Sequence, residues 1–363
     1  MRVSVKSFAK VNLGLRIGPA REDGFHELLT VYQTIGLHDV IQVTVGRGTG
    51  IEIRCADPRV PRDESNTCFR MVERAMIALR AKGRVVIEIE KRLPVQGGLG
   101  GASANAVATL LALERAVRKK LSQSERLQIA TDVGSDLPLF LVGGTVLGLG
   151  RGEQVYPLPD FPATACVVVT PEIGVSTPQA FAQWDRLCGA GAPAREGLPR
   201  MSDDEISNKR AAELRSAGQP GAAVPRQAES KLTVLTASDR MNELGRSLSA
   251  WLSELYSSAP SDSLERRGRA GNPLLRLDRA GIENDFEQVV FPEYPKLGEA
   301  KRALVGAGAK YASLSGSGST LYGLFAPRQA AASAVTELRK AGWAAQMAST
   351  LTRTAYWRRM WAD

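Results

Sequence analysis

Residues 94–107 read PVQGGLGGASANAV and lead directly into an amphipathic stretch at residues 108–120. The four glycines of this stretch allow positive φ angles and let a ligand approach the backbone N–H groups closely. Ser103 is a suitable N-cap for the helix that the following apolar spacing predicts. A glycine-rich loop that enters a helix N-terminus predicts a phosphate site, although such loops also occur as plain left-handed turns.

The loop fits neither of two common nucleotide-binding fingerprints. A Walker A loop has Lys followed by Ser or Thr after its last glycine, whereas this chain has Ala102 and Ser103 there. The dinucleotide fingerprint has a glycine three residues after Gly100, where this chain has Ser103. The loop alone leaves nucleotide binding open, so the rest of the chain has to decide.

Length and composition predict a globular protein of two domains with an insertion. The chain has 363 residues, and the segment at about 186–265 is rich in Gly, Pro, Ala, Ser and charge. That composition predicts a largely flexible insertion with a helix only near residues 241–255.

The net charge of 47 − 38 = +9 suits nucleic acid, a membrane surface or small polyanionic substrates. An excess of solvated arginines explains it equally well. Because most basic residues are scattered along the chain, we expect no nucleic-acid partner.

The sequence does not predict export or membrane insertion. The four cysteines show no CxxC pairing and the chain has only two histidines, which indicates reduced thiols and no zinc site. The first residues lack an apolar run, and the longest uncharged stretch, residues 137–150, is too short and glycine-rich to span a bilayer. We therefore expect a cytoplasmic protein without a membrane partner.

The pattern of apolar residues before the loop predicts mainly strands. Apolar residues alternate with polar ones over residues 3–17, which predicts half-buried strands with Lys10 and Asn12 on the other face. An Asp-Gly turn follows, with Phe25 and His26 directly after it. Such a Phe-His pair is more often core plus surface than part of a site.

The segment after the loop contains further helix signals and a second glycine-rich loop. Ser122 and Glu125 form a possible capping box for a helix that ends at Gly134. Asp136 then lies near the start of another helix, where a plain helix-start acid is the simpler interpretation. Residues 312–320 read ASLSGSGST and lead into a strand.

Five segments, in this order, resemble the GHMP kinase superfamily: SFAKVNLGLRI, REDGFHEL, PVQGGLGGASANAV, DVGSDLPLFLVGG and SLSGSGSTLYGLF. The first two together are similar to the members that phosphorylate a small cytidyl diphosphate. The resemblance covers about residues 1–182 and 270–325. The ordered set is much more specific than any single motif.

The resemblance implies an α+β fold of two domains with the active site in the cleft between them. A ribosomal-S5-like N-terminal domain would span residues 1–160, and a ferredoxin-like C-terminal domain would span residues 161–363, including the insertion at about 186–265. The implied activity is phosphorylation of a hydroxyl of a cytidyl diphosphate small molecule with ATP and Mg²⁺. We expect a monomer or a weak homodimer.

The resemblance also implies roles for individual residues. Lys10 and Asp136 would be the catalytic pair, and Ser103 would lie near the Mg²⁺. The ATP site would consist of Pro94, Gly97, Gly98, Leu99, Gly100, Gly101, Ala102, Ser103 and Asn105. The substrate site would consist of Asn12, Phe25, His26, Phe181, Gly316 and Ser317, with the two phenylalanines on the faces of the cytosine and the histidine reading the base.

The sequence departs from the superfamily pattern in three places. Where the loop usually reads GGGSSNAA, this chain has GGASANAV. Ala102 restricts one flexible position, and Ala104 removes one hydroxyl that could serve phosphate or metal. Phe25 stands where members usually have tyrosine, which keeps stacking on a base but loses a phenolic hydrogen bond. The insertion is the third departure.

Two alternatives remain open. Another kinase of the superfamily, acting on mevalonate, homoserine or a sugar, would share the glycine loop but has no reason for the segment with Phe25 and His26. A nucleic-acid-binding protein of S5-like fold would explain the charge of +9 but neither Asp136 nor the second glycine loop.

Overall fold

The computed structural model describes residues 1–188, 237–257 and 272–361. Its strands are β1 (Arg2–Ala20), β2 (His26–Gly46), β3 (Ile51–Cys55), β4 (Arg84–Glu90), β5 (Thr145–Leu149), β6 (Gln154–Pro157), β7 (Ala165–Val169), β8 (Tyr311–Leu314), β9 (Leu321–Phe325) and β10 (Ala345–Ser349). Its helices are α1 (Thr67–Ala78), α2 (Gly101–Val117), α3 (Gln123–Val133), α4 (Leu137–Val142), α5 (Thr177–Cys188), α6 (Ala237–Ser257), α7 (Glu287–Glu293), α8 (Pro295–Gly306), α9 (Arg328–Lys340) and α10 (Arg353–Met360). Within these described ranges, no helix is long and apolar enough to cross a membrane.

The first sheet is built on β1 and β2, which pair antiparallel along almost their whole length. The other strands complete the order β3-β4-β2-β5-β6, with β1 beside β2. The pairing shifts register between Phe8 and Lys10 and again between Asn12 and Gly14. Such irregularities re-aim side chains and are common next to active sites. Lys10 and Asn12 therefore lie in the part of β1 where regular alternation breaks down.

The sequence signals for helix ends were correct for α3 and wrong for α2. α3 has the predicted capping box of Ser122 and Glu125 and ends at Gly134. α2 already begins at Gly101, with Gly100 in the N-cap position at φ +67°. Ser103 therefore lies inside the first turn and is not the N-cap, because the left-handed glycine turns the backbone into the helix three residues earlier.

The second sheet has the order β10-β7-β9-β8, and all its neighbouring strands are antiparallel. Helices α5 and α7 to α9 contribute to the apolar core on this sheet. With the mixed first sheet, this confirms the predicted α+β class. The last helix, α10, returns to the first sheet, where Tyr356 and Met360 are buried in its core.

A third apolar core lies between the two sheets. It joins Val11 of β1 to Val168 of β7 and Leu324 of β9. Leu244 and Trp251 of α6 are buried in the same core. The helix predicted near residues 241–255 is thus present, and it contributes to this core and packs on β1. Residues 189–236 and 258–265 of the predicted insertion lie outside the described residues.

A buried ion pair connects β1 with the segment that precedes α7. Arg16 donates to Oδ1 of Asp285 at 2.8 Å, and the backbone N–H of Ile17 donates to Oδ2 at 3.0 Å. The side chains of Arg16 and Asp285 are only 7% and 0% exposed. Backbone hydrogen bonds of Leu15 with Glu283 and Asp285 align the segment with β1. Because α7 packs on the second sheet, this joint fixes one sheet relative to the other.

We expect Asp285→Ala to lower the free energy of unfolding by about 3–5 kcal/mol, because it leaves the Arg16 charge buried without its main partner. Urea unfolding followed by circular dichroism measures this loss. Glu88→Ala is a matched control, because it removes a carboxylate whose ion pair with Arg2 is exposed to solvent. That change should cost less than about 1 kcal/mol. Equal, small losses in the two variants would show that the buried pair does not hold the sheets together.

Candidate active site

The residues predicted for catalysis and phosphate binding come together where the two sheets meet. β1 supplies Lys10 and Asn12, and the residue before α4 is Asp136. Two loops close this junction. The first glycine loop, residues 94–100, precedes α2, and the second glycine loop, residues 315–320, joins β8 to β9.

The two glycine loops are in direct backbone contact. Thr320 N–H donates to the carbonyl of Gly97 at 3.2 Å, and Ser315 Oγ donates to the carbonyl of Gly98 at 2.9 Å. A Cβ atom on Gly98 would lie 2.1 Å from the carbonyl oxygen of Ser315. On Gly97 it would lie 2.8 Å from the Thr320 hydroxyl. Both glycines are therefore required by the contact between the loops, whatever ligand the first loop binds.

The predicted phosphate-binding residues form the first loop and the first turn of α2. The buried Leu99 accepts a hydrogen bond from the backbone N–H of Lys10 at 3.0 Å, which ties the loop to β1. No side chain caps α2 at Gly100. The N–H groups of the first helical residues, 101–103, have no partner within the helix and carry partial positive charge. This terminus can therefore receive an anionic phosphate group.

Asp39, which was not predicted from the sequence, accepts hydrogen bonds from residues on both sides of the first glycine loop. Its fully buried carboxylate accepts from Lys91 Nζ at 2.6 Å and from Asn105 Nδ2 at 2.9 Å. The backbone N–H groups of Arg92 and Leu93 donate to its other oxygen at 2.7 and 2.8 Å. The amide of Asn105, predicted to bind ATP, is thus engaged in this network. An acidic residue inside an apolar strand was the only signal in the sequence.

The ammonium of Lys10 is buried and faces two other site residues. Nζ donates to Asn12 Oδ1 at 2.7 Å and lies 3.6 Å from Oδ2 of Asp136. The side chain of Lys10 is 4% exposed and that of Asp136 is 36% exposed, so only the carboxylate is open to solvent. A Cβ atom on Gly316 would lie 3.6 Å from Nζ, which shows that the second glycine loop covers the ammonium.

Two opposing effects act on the lysine. Burial is the larger and lowers the pKa of Lys10 below its ordinary value, while the nearby carboxylate of Asp136 raises the pKa. An anionic phosphate group beside the ammonium would add a second effect that favours the charged form. The lysine is therefore suited to neutralise negative charge brought by a ligand.

Asp136 does not act as a helix cap. It occupies the N-cap position of α4, but its side chain makes no capping hydrogen bond. Its Oδ1 accepts a hydrogen bond from the Tyr32 hydroxyl at 3.0 Å. A plain helix-start acid does not describe these contacts. Tyr32 was not singled out from the sequence, because an aromatic residue in an alternating strand is typical of the core.

A second cluster, next to the second glycine loop, contains three of the predicted substrate residues. The ring of His26 stacks on Phe181 with centroids 4.9 Å apart and 10° between the planes. Nε2 of His26 lies 2.7 Å from Oδ1 of Asp185. The structure thus brings His26, rather than Phe25, against Phe181. Ser317 Oγ lies 2.7 Å from the Thr177 hydroxyl, which links the second loop to α5.

Phe25 lies apart from the stacked pair. Its side chain is 51% exposed, and the guanidinium carbon of Arg151 lies 5.0 Å from the centre of its ring. The cation and the ring attract each other weakly at an exposed site. One face of the Phe25 ring is therefore exposed at the surface, and this residue directly precedes His26 in the sequence.

The donors near the phosphate end suit Mg²⁺ better than a self-contained metal centre. Within the described ranges, no group of three or more His, Cys, Asp or Glu side chains could hold a metal ion. Mg²⁺ at phosphate sites keeps several waters and uses substrate oxygens with only one or two protein ligands. The hydroxyl of Ser103 in the first turn of α2 fits that requirement by its chemistry.

Family models match both halves of the chain. The model of the GHMP kinases N terminal domain matches residues 66–144, which include the first glycine loop and Asp136. The model of the GHMP kinases C terminal domain matches residues 263–343, which include the second glycine loop.

Solved structures agree with this fold. A crystal structure of a 4-(cytidine 5'-diphospho)-2C-methyl-D-erythritol kinase is similar, with a TM-score of 0.63 and 25% identity, covering 96% of this chain and 99% of that one. A homoserine kinase from Cytophaga hutchinsonii ATCC 33406 has a TM-score of 0.58 at 18% identity, covering 97% and 95% of the chains. The second likeness is one of fold alone.

Curated relatives extend the match to almost the whole sequence. A 4-diphosphocytidyl-2-C-methyl-D-erythritol kinase of Solibacter usitatus (strain Ellin6076) is 34% identical over 362 residues, or 99% of this chain and 93% of that protein. A kinase of the same name from Acaryochloris marina (strain MBIC 11017) is 30% identical over 349 residues, or 93% and 92%. The predicted two-domain GHMP kinase fold is confirmed, and the chain is an ATP-dependent small-molecule kinase that belongs to the 4-diphosphocytidyl-2-C-methyl-D-erythritol kinase family.

Proposed function

We propose that this chain transfers the γ-phosphoryl group of ATP to a hydroxyl of 4-diphosphocytidyl-2-C-methyl-D-erythritol, in the methylerythritol phosphate route to isoprenoids. The observation that carries the proposal is the pairing of Lys10 and Asp136, 3.6 Å apart, at the contact of the two glycine loops. The predictions of a cytoplasmic location and of a monomer or weak homodimer stand beside it.

The phosphate end of the site would hold ATP. The backbone N–H groups of residues 101–103 point to the open end of α2, and their partial positive charge suits the polyphosphate. A Mg²⁺ ion held by the phosphates, with Ser103 as a nearby oxygen donor, would neutralise charge on the transferring group. The protein's part is mainly positioning and electrostatic stabilisation.

Asp136 and Lys10 would act on the acceptor hydroxyl. The partly exposed carboxylate can accept the hydroxyl proton as the oxygen attacks the phosphorus, so the proton ends on Asp136 and ADP leaves. The buried ammonium of Lys10 polarises the same hydroxyl and offsets negative charge. Asn12 keeps the ammonium in place, since its Oδ1 accepts from Nζ and its Nδ2 donates to the Thr30 hydroxyl at 2.8 Å.

His26 would read the cytosine. An ionised Asp185 can only accept, so the close Nε2 atom of His26 carries the hydrogen. In the neutral ring, Nδ1 is then an acceptor, which suits the 4-amino group of cytosine. The stack on Phe181 fixes the plane of the imidazole. The partly exposed ring of Phe25 offers an apolar face to the base.

A direct assay tests the substrate. ADP release should require 4-diphosphocytidyl-2-C-methyl-D-erythritol, with mevalonate, homoserine and galactose turned over at least about a hundredfold less efficiently, because only the first carries a group for His26 to read. Equal or better turnover of another acceptor would assign the chain to that substrate.

The catalytic pair can be tested by its non-additivity. Asp136→Asn keeps the shape of the side chain but loses the base, so turnover should fall by roughly 10² to 10⁴ with both substrates still binding. Because residues that act as a unit are non-additive, Lys10→Met combined with Asp136→Asn should cost little more than the worse single change. Steady-state kinetics and isothermal titration measure turnover and binding separately. Losses that multiply would show that the two residues act independently.

The base-reading role of His26 predicts a selective effect. His26→Ala should raise KM for the cytidyl substrate about tenfold or more, because it removes both a hydrogen bond and the stacked ring, and leave KM for ATP nearly unchanged. The chain offers a matched control on the same strand in His38→Ala, whose ring bonds the carbonyl of Gly36. The control should leave both constants within about twofold. A parallel rise of both constants in His26→Ala would make this residue structural.

A further inference from the structure

We propose that Tyr32 is a positioning residue for Asp136, holding Oδ1 of the carboxylate so that Oδ2 faces Lys10 and the acceptor hydroxyl. The inference rests on the catalytic role of Asp136 proposed above. Tyr32 lies on β2, and its hydroxyl donates to Asp136 Oδ1 at 3.0 Å. The other oxygen, Oδ2, lies 3.6 Å from Lys10 Nζ. The two oxygens of one carboxylate thus have different partners, from two different strands.

The ring of Tyr32 cannot move far. It is 2% exposed. A Cβ atom on Gly148 would lie 2.5 Å from its Cε2, and one on Gly152 would lie 2.4 Å from its hydroxyl oxygen. Lys10 Nζ lies 5.6 Å from the centre of the ring. The close approach of Gly148 and Gly152 therefore fixes the position of the Tyr32 hydroxyl.

Few other contacts restrict the orientation of the Asp136 carboxylate. The side chain of Asp136 makes no hydrogen bond to the start of α4 and is 36% exposed. The terminal torsion of an aspartate is broad when nothing holds it. A fixed donor on one oxygen therefore decides where the second oxygen points. For a general base, such pre-orientation raises the fraction of molecules in the reactive geometry.

The direction of the hydrogen bond is also fixed. Burial, followed by the charge of Asp136 and the hydrogen bond to it, raises the pKa of Tyr32 well above its ordinary value. The charge of Glu153 acts in the same direction. The hydroxyl thus remains protonated and is the donor, while the ionised carboxylate accepts.

The test is Tyr32→Phe, which removes the hydroxyl and keeps the ring. Turnover should fall roughly ten- to 150-fold, as expected for a lost hydrogen bond to a charged group, while KM for both substrates stays within about twofold. Tyr356→Phe is the matched control, because this buried hydroxyl bonds the carbonyl of Phe140 in α4 at 2.7 Å and not the carboxylate. The control should lower the melting temperature but leave turnover near that of the unchanged enzyme.

Measuring Tyr32→Phe in a second variant, Asp136→Ala, distinguishes a positioning role of Tyr32 from a role in folding. In Asp136→Ala, the further change Tyr32→Phe should alter turnover less than about twofold, because the group it positions is gone. The same fold-loss in both backgrounds, or unchanged turnover in Tyr32→Phe alone, would overturn the inference and leave the catalytic role of Asp136 intact. Near-normal turnover in Asp136→Ala alone would overturn that role, and the inference with it.

Discussion

The backbone contact between the two glycine loops is the constraint on which the site depends. The Ser315 hydroxyl and the Thr320 N–H donate hydrogen bonds to carbonyls of the first loop. A Cβ atom on Gly98 would lie only 2.1 Å from the carbonyl oxygen of Ser315. The same loop is tied to β1 through Leu99. Each sheet therefore supplies one wall of the junction, and the lysine is covered only because both walls are present. Both glycine loops, one from each domain, are therefore needed to enclose the ammonium of Lys10.

Burying the ammonium of Lys10 where the two sheets meet costs free energy of desolvation. The contacts of the ammonium limit this cost. Desolvation is the larger influence on Lys10 and lowers its pKa, whereas Asp136 only partly opposes it at 3.6 Å. Asn12 supplies a closer, neutral acceptor at 2.7 Å. An ion pair of better geometry would hold the charge more firmly but would also occupy the carboxylate. In the reaction proposed above, the longer separation would leave both groups free to engage the acceptor hydroxyl and the phosphate.

The sequence predicted those parts of the structure whose signal is local. Alternating apolar residues marked β1, and Ser122 with Glu125 marked the start of α3. The order of the glycine loops predicted the fold class through a family resemblance. Contacts between distant residues could not be predicted in this way: Tyr32 meets Asp136 across 104 positions, and Asn105 meets Asp39 across 66. Such pairs follow from tertiary packing, which neither periodicity nor spacing encodes.

The two alanines that depart from the superfamily loop pattern have a structural explanation. Ala102 is the second residue of α2, in a right-handed conformation where alanine is favoured over glycine by about 1 kcal/mol, so no needed flexibility is lost. Ala104 is 3% exposed and packs in the core of the first sheet, where a hydroxyl would have to find its own hydrogen-bond partner. Gly98 and Gly100, which do adopt positive φ, are retained. The groups available to phosphate at this terminus are backbone N–H groups, and neither alanine removes one.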